Sequence, residues 1–375
     1  MNVADLTEQL KNRAAELGFS LSGICPAVRP PGVARLDEWL AAGYAGQMDY
    51  LADRREAYED PKYVLEGARS VVMLAMNYRT AEPAPTKAGQ GRVSRYAWGT
   101  ADYHDIIRGR LYQLADFLRQ CVPAARVRSI VDTAPLMERE FAQLAGLGWI
   151  GKNTLLLNRT AGSWFFLAAL LTDVELVYDD AHDTDHCGTC RACLDACPTD
   201  AFPQPYVLDA SRCISYLTIE LRDAMPAVLR AGVGDWVFGC DVCQEVCPWN
   251  NHAPKSHESA FEPQAENDPL DLIRLFDLDD AAFRARFRHT PLWRPRRRGL
   301  LRNAAIALGD RPTPAALPAL QKGLQDEEPL VRGACAWALG RYSEPAAFEA
   351  LSARRQIETD AGVLIEIDAV IGTRD

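Results

Sequence analysis

Apolar residues recur in the first half of the chain in two patterns, one with helical spacing and one as short continuous runs. Val3 to Leu17 carries leucines at helical spacing and is followed by Gly18, which predicts an amphipathic helix ended by a glycine. The short apolar runs predict buried strands. They are Phe19–Ile24, Ser70–Met76 and Ser163–Leu171.

Further helices and one further strand are predicted between these runs. The helices are Leu36–Ala42, Met48–Arg55 and a segment of about 18 residues that ends at Cys121. Arg126–Val131 predicts a strand, and Asp132 to Pro135 would follow it at the start of the next helix. Because helices and strands alternate without a regular βαβ rhythm, residues 1–175 are predicted to form a mixed α/β domain.

The glycine-rich turn from Gly146 to Asn153 nearly matches the P-loop of nucleotide-binding proteins. However, Asn153 stands where a P-loop has the hydroxyl that holds Mg²⁺, and a helix is predicted before the turn where a strand is required. A nucleoside triphosphate site is therefore not expected.

The C-terminal part has a different pattern. Pro263–Phe283 is acidic and predicted to be helical, and the sequence Ala-x-Ala-Leu-Gly then occurs twice, at Ala305–Gly309 and Ala336–Gly340. Pairs of short helices that repeat at such a period stack into a solenoid, which often serves as a binding surface.

Eight cysteines fall in one segment that separates these two parts. Cys187, Cys190 and Cys193 have the spacing that wraps three corners of an iron–sulfur cube, and Cys197, which precedes a proline, would bind the neighbouring cube. This crossing rule predicts two 4Fe-4S clusters. The first would be bound by Cys187, Cys190, Cys193 and Cys247, and the second by Cys213, Cys240, Cys243 and Cys197.

Two other interpretations of the cysteines are less favoured. Paired C-x2-C sequences also bind tetrahedral zinc, but the third thiolate three residues further on and the two Cys-Pro sequences are typical of cubes. A disulfide framework would need an oxidising compartment, whereas the chain opens without an export signal. The cytoplasm is the expected location.

Composition and charge exclude some classes of protein. The 375 residues are 48% hydrophobic and 25% charged, as in ordinary soluble proteins, and no apolar run is long enough to cross a bilayer.

The net charge of −10 argues against binding nucleic acid through bulk electrostatics. Residues 284–302 nevertheless hold eight arginines and no acidic residue, with Phe287 and Trp293 among them. This basic segment could bind a phosphate backbone, or it could pair with acidic residues of the same chain such as Asp277 to Asp280.

Several strings across nearly the whole chain resemble the epoxyqueuosine reductase family, QueG. They are Ser94-Arg-Tyr-Ala97, Asp102-Tyr-His104, Val131-Asp-Thr-Ala-Pro135, Gly146-Leu-Gly-Trp149, Gly151-Lys152, Gly162-Ser163, the cysteine segment, Cys213 to Glu220 and Cys247-Pro-Trp-Asn250. The resemblance implies reduction of the epoxide of epoxyqueuosine at the wobble position of tRNA to give queuosine. It also implies a cobalamin and two 4Fe-4S clusters. A reductive dehalogenase-like reductase of a small organic molecule is the alternative.

The resulting expectation is an α+β chain with three domains: a mixed α/β cobalamin-binding domain (1–175), a ferredoxin-like two-cluster domain (176–255) and a helical HEAT-like repeat domain with the basic segment (256–375). The expected partners are tRNA carrying epoxyqueuosine and a low-potential electron donor. The chain is expected to act as a monomer.

Asp132 resembles the proton donor of the family. Its sequence context alone favours a helix cap, since an aspartate shortly before Pro135 suits a helix N-terminus. The resemblance favours the catalytic role, because breaking a C–O bond without an acid leaves a poor alkoxide leaving group.

Further contacts are implied by the resemblance. Those to cobalamin are Lys152, Asn153, Thr154, Gly162, Ser163, Ser215, Gly239, Cys240 and Asp241. Those to tRNA are Arg284, Arg294, Arg296, Arg297 and Arg298. Because Ile107 breaks the Asp-x-His-x-x-Gly sequence of proteins that bind cobalt through histidine, His104 is not expected to bind the metal.

Overall fold

The computed structural model describes residues 2–372, and packing divides them into two compact units. The first unit comprises the residues up to Thr80, Asp102–Ala210 and Val242–Glu258. The second comprises Ala81–Ala101, Ser211–Asp241 and the residues from Ser259 onward. The three predicted domains follow sequence motifs, whereas the units follow packing, which divides the cysteine segment between them.

The secondary structure is numbered in chain order. The α-helices α1 to α17 of the described residues span Val3–Glu16, Val33–Ala41, Tyr50–Asp53, Arg55–Glu59, Tyr103–Cys121, Glu138–Leu144, Ala192–Asp195, Ile214–Ile219, Ala227–Val233, Val242–Glu245, Leu272–Leu275, Asp280–Phe287, Arg296–Asp310, Leu317–Gly323, Pro329–Leu339, Pro345–Arg355 and Ala361–Ile371. The strands β1 to β9 span Leu21–Pro26, Ser70–Asn77, Gln90–Val93, Val127–Ile130, Trp149–Ile150, Leu156–Leu157, Phe165–Thr172, Trp236–Phe238 and Leu270–Asp271.

An antiparallel sheet with strand order β1-β2-β7-β4 forms the centre of the first unit. Every residue of β2 is buried, which explains why its sequence is a continuous apolar run. Alternate side chains of β2 face opposite sides of the sheet. Val71 and Met73 pack with Phe141 of α6 in one core, and α5 packs on β4 and β7. The predicted strands and the long helix ending at Cys121 are confirmed.

The second unit joins a small sheet to the repeat helices. Strand β3 lies between β8, to which it is parallel, and β9, to which it is antiparallel. The two Ala-x-Ala-Leu-Gly sequences lie on α13 and α15, which pack against each other. A Cβ on Gly309 would lie 2.8 Å from the Cα of Ala338, so only glycine allows this close approach of the two helices.

Two sequence-based predictions of helices need correction. Pro263–Phe283 is not one helical segment, because α11 holds only Leu272–Leu275 and α12 begins at Asp280. Two prolines, at 263 and 269, lack the backbone donor that a helix interior requires. Met48–Arg55 is instead the short helix α3 followed by α4. Within residues 2–372, no helix has both the length and the apolar composition needed to cross a bilayer.

Hydrogen bonds from two buried side chains connect α13 to neighbouring segments of the second unit. Arg302 is 1% exposed and donates to the carbonyl oxygens of Leu221 and Asp223, both at 2.8 Å, and of Leu217 at 2.5 Å. The adjacent Asn303 donates to the carbonyl oxygens at positions 218 and 237. Burial lowers the pKa of Arg302 to about 10, so this side chain remains charged at neutral pH.

We expect Arg302→Met to destabilise the protein by about 3 to 5 kcal/mol, because three carbonyl groups, two of them in buried bonds, would lose their donor. Urea denaturation followed by circular dichroism measures this difference. The exposed Arg355, which pairs with Asp368, provides the matched control. Arg355→Met should change stability by less than about 0.5 kcal/mol, and equal effects of the two substitutions would contradict the role of Arg302.

Candidate active site

Asp132 lies in a loop between β4 and α6 with an unusual backbone conformation. Its φ of 57° is in the left-handed region, which is uncommon for residues other than glycine and often marks functional sites. Glu138 holds this conformation, since its Oε1 accepts a hydrogen bond from the Asp132 backbone N–H at 3.0 Å. Helix α6 begins only at Glu138, and its N-cap is Met137. Asp132 is therefore not a helix cap.

His104 connects this loop to the start of α5. Its Nε2 lies 3.2 Å from Asp132 Oδ2, and its Nδ1 lies 2.6 Å from Asp102 Oδ1. Asp102 is also the N-cap of α5, since the same oxygen accepts the His104 backbone N–H at 3.0 Å. The imidazole thus bridges two carboxylates, and the capping bond fixes one of them.

An aromatic stack supports the imidazole ring. Tyr103 stacks on His104 with a centroid separation of 4.1 Å and on Phe166 of β7 at the same separation. The Tyr103 hydroxyl also lies 3.4 Å from Asp132 Oδ2. The Asp132 side chain is 53% exposed, whereas that of His104 is 19% exposed. The carboxylate of Asp132 is therefore accessible to a reactant while its partners remain packed.

The charges around this group favour a protonated imidazole. Burial opposes protonation of His104, but its hydrogen bonds with Asp102 and Asp132 outweigh that effect and raise its pKa to about 9. Burial and the charge of Asp132 raise the pKa of Glu138 to about 8. At neutral pH the group accordingly holds a proton on the imidazole that contacts the Asp132 carboxylate and another on Glu138, which bonds to the Asp132 main chain. Such an arrangement can deliver a proton to a reacting atom.

Four of the predicted cluster cysteines converge in the first unit. Burial raises the pKa of Cys193 to about 11, and the nearby Cys247, Cys187 and Cys190 thiols contribute to this increase. Among residues 2–372, no three histidine, cysteine or acidic side chains are arranged to hold a single metal ion. A cube holds its thiolates on separate irons and does not require them to meet at one ion.

The other four predicted cluster ligands are divided between the units. Cys197 and Cys243 belong to the first unit, and Cys213 and Cys240 belong to the second. The Cys197 sulfur accepts the backbone N–H of Ala201 at 3.3 Å. The composition of the second ligand set stays a prediction.

The predicted cobalamin contacts in the first unit already bond to protein groups. Lys152 Nζ donates to the carbonyl oxygens of Gly188 at 2.6 Å and Cys190 at 2.8 Å. The Ser163 hydroxyl accepts a hydrogen bond from the Asn250 side-chain amide at 3.0 Å. The remaining positions are part of the same framework: Asn153 is buried and bonds to Cys243, Thr154 has a φ of 65°, and Gly162 has a φ of 67°.

The predicted cobalamin contacts in the second unit also have structural bonds. The buried carboxylate of Asp241 accepts hydrogen bonds from the Ser94 hydroxyl and from the Arg95 backbone N–H. Gly239 donates its N–H to the Thr218 hydroxyl at 3.0 Å. Ser215 lies in α8 beside Cys213, and Cys240 lies between the other two predicted residues.

The basic segment is exposed at four of its five predicted tRNA contacts. Arg284, Arg294, Arg296 and Arg298 are exposed. Arg284 and Arg296 both lie over the Trp293 ring, at 5.8 and 4.4 Å from its centroid. Arg297 differs, because its side chain is only 17% exposed and its guanidinium pairs with Asp326 at 2.5 Å.

Sequence reasoning did not identify His104 and Glu138 as partners of Asp132. The string Asp102-Tyr-His104 indicates family resemblance and a broken cobalt-binding motif but no contact with Asp132, and Glu138 is an ordinary first-turn acid of a helix. An aspartate N-cap two residues before a histidine is a usable local signal for a bonded imidazole. The contact with Asp132 depends on the packing of β4 beside α5, which residue spacing does not reveal.

Sequence models of known protein families match three parts of the chain. The 4Fe-4S double cluster binding domain matches residues 186–250, and HEAT repeats match residues 297–370. These matches confirm the predicted pair of clusters and the predicted helical repeats. The sequence model of epoxyqueuosine reductase QueG matches residues 59–133.

Relatives and solved structures match over nearly the full length. Epoxyqueuosine reductase from Pseudomonas aeruginosa is 44% identical over 353 residues, covering 91% of this chain and 96% of that protein. A crystal structure of epoxyqueuosine reductase with an epoxyqueuosine-modified tRNA-Tyr stem loop is 33% identical, with a TM-score of 0.92 over 99% of both chains. The Bacillus subtilis enzyme, solved with its catalytic aspartate loop swung out of the active site, is 32% identical, with a TM-score of 0.91 over 99% of both chains. This chain belongs to the epoxyqueuosine reductase family.

Proposed function

We propose that this protein reduces the epoxide of epoxyqueuosine at the wobble position of tRNA to give queuosine, and that Asp132 delivers a proton to the epoxide oxygen. The observation that carries the proposal is the hydrogen bond between the accessible Asp132 carboxylate and the His104 imidazole, at 3.2 Å. Family membership supports the substrate, because a relative of the same fold was solved with an epoxyqueuosine-modified stem loop.

The electrons and protons that the reaction consumes define what the protein must supply. Conversion of an epoxide to an alkene consumes two electrons and two protons, and the oxygen leaves as water. The Asp132 and His104 pair holds a proton between Oδ2 and Nε2, so a proton donated through Asp132 is replaced from His104. The bonds from Asp102 and Glu138 keep both groups in place during this transfer.

Cobalamin is the proposed electron carrier to the substrate, and when bound it supplies the two electrons as a strongly reducing cobalt centre. The nine residues predicted above remain its proposed contacts. The side chains of Ser163 and Asp241 already bond to protein groups, so a polar contact of either side chain with the cofactor would be made in addition to those bonds. Both ring nitrogens of His104 bond to carboxylates, which supports the prediction that His104 does not bind cobalt.

The basic segment is the proposed contact surface for tRNA. Exposed arginines beside Trp293 suit a single-stranded loop, whose bases stack on aromatic rings while its phosphates bind guanidinium groups. We further propose that the protein acts as a monomer in the cytoplasm, where its tRNA substrate is found. A low-potential one-electron donor would reduce the clusters.

We expect Asp132→Asn to lower turnover by at least about 100-fold, because it removes the acid that protonates the leaving oxygen. Mass spectrometry of nucleosides from epoxyqueuosine-containing tRNA measures the product, and a halogenated aromatic compound assayed in parallel tests the small-molecule alternative. Asp105→Asn is the control, since Asp105 is an exposed acid of the same α5 helix. Full turnover by Asp132→Asn with intact clusters and cobalamin would exclude the proposed proton donor.

The pH dependence of kcat/KM should report the imidazole of His104. Its raised pKa predicts that activity is retained at neutral pH and is lost as pH rises through about 9, where the imidazolium loses its proton. Asp102→Asn removes one of the two bonds that raise this pKa, so the loss should begin at lower pH. If Asp102→Asn left the pH profile of kcat/KM unchanged, the proposed role of His104 in catalysis would be contradicted.

The triple substitution Arg294→Gln, Arg296→Gln and Arg298→Gln should weaken tRNA binding and reduce its dependence on salt. Loss of three phosphate contacts lowers the slope of log K against log salt by about 2. Fluorescence anisotropy with a labelled anticodon stem loop measures both quantities. A control triple of exposed arginines, Arg69→Gln, Arg119→Gln and Arg355→Gln, removes the same charge elsewhere. Equal losses in the two triples would indicate a general charge effect and contradict a local contact.

A further inference from the structure

Trp149, the first residue of β5, buries a hydrogen-bond donor that has no partner. The side chain is 1% exposed, and within residues 2–372 its Nε1–H meets no acceptor with hydrogen-bond geometry. Buried donors without partners are rare, because removing them from water costs free energy that no new bond offsets. Such a donor indicates an acceptor that takes up its position only when a neighbouring site is assembled.

The surroundings of Trp149 identify where that acceptor lies. Trp149, Leu157 and Cys247 form a buried cluster, with Cys187 and Trp249 packed against it. Cys187 and Cys247 are both predicted ligands of the first 4Fe-4S cluster. The Trp149 indole therefore packs against the side chains of two predicted ligands of the same cluster.

Aromatic rings hold the indole in this orientation. The Trp249 ring meets it edge to face with a centroid separation of 5.1 Å, and the His182 ring stacks on it at 5.6 Å. The ring of His186 lies 4.7 Å from it in a T-shaped contact. These contacts surround the indole with packed rings, so its N–H cannot readily turn toward solvent.

We propose that Trp149 donates its indole N–H to the sulfur of Cys187 in the assembled first cluster, and that this bond makes this cluster easier to reduce. The inference rests on the confirmed double-cluster domain and does not depend on the tRNA substrate. A hydrogen bond to a cluster sulfur stabilises the reduced form more than the oxidised form, because reduction adds one negative charge to the cluster. The bond therefore raises the reduction potential.

The turn after β5 also bonds to the cysteine segment. The ammonium group of Lys152 donates to the carbonyl oxygen of Gly188 at 2.6 Å and to that of Cys190 at 2.8 Å. Residues 149–152 thus place an indole N–H and a positive charge beside the predicted ligands of one cluster.

The decisive experiment compares reduction potentials in the holoenzyme. Each cluster is titrated anaerobically and followed by electron paramagnetic resonance, with the second cluster as an internal reference. Replacing Trp149 by 3-benzothienylalanine keeps the ring size and exchanges the N–H for sulfur. We expect reduction of one cluster to become about tenfold less favourable, a shift of 59 mV to more negative potential for a one-electron couple. The other cluster should be unchanged.

Trp149→Phe tests the same bond with a natural residue, and Trp249→Phe is the matched control for lost ring packing. Trp149→Phe should shift the same cluster in the same direction, and Trp249→Phe should shift it much less. Unchanged potentials in the benzothienyl variant, or equal shifts in Trp149→Phe and Trp249→Phe, would overturn the proposal. Because the readout is a potential, its failure is distinguishable from absence of activity on tRNA.

Discussion

The bridge that His104 makes between two carboxylates is the interaction on which the candidate active site depends. Asp102 contributes twice, since its side-chain Oδ1 accepts the His104 backbone N–H as the cap of α5 and also bonds the imidazole ring. The ring also bonds to Asp132, which follows strand β4 of the central sheet. A loop residue is thereby connected to the N-terminus of α5, so elements of regular secondary structure position its carboxylate.

Strands and helices whose buried positions follow a pattern of neighbouring residues could be predicted from the sequence. The run at Ser70–Asn77 is apolar throughout because every side chain of the strand is buried, and the repeated Ala-x-Ala-Leu-Gly reflects two helices in close contact. The presence of two 4Fe-4S clusters could also be predicted, because iron–sulfur geometry dictates cysteine spacing along the chain. In each case the physical constraint acts on neighbouring residues.

Features that depend on contacts between distant segments could not be predicted. Local sequence favoured a cap for Asp132, yet the residue has a left-handed conformation stabilised by Glu138. Arg297 is indistinguishable by sequence from its neighbours, although it alone of the five predicted tRNA contacts is largely withdrawn from solvent, in an ion pair with Asp326. Likewise, Lys152 resembles a surface lysine in a glycine turn, and its bonds to the cysteine segment became visible only in the fold.

The interleaving of the two units has a consequence for biosynthesis. Neither unit is a continuous stretch of chain, since the first is complete only at Glu258 and the second begins at Ala81. Cleaving the chain at one position would therefore not yield the two units as separate, complete fragments. During translation, Cys187 leaves the ribosome well before Cys247, so the first three thiols predicted to bind the first cluster emerge into an incomplete unit. On the predicted ligand assignment, iron and sulfide can be enclosed by all four thiols only after Cys247 has emerged.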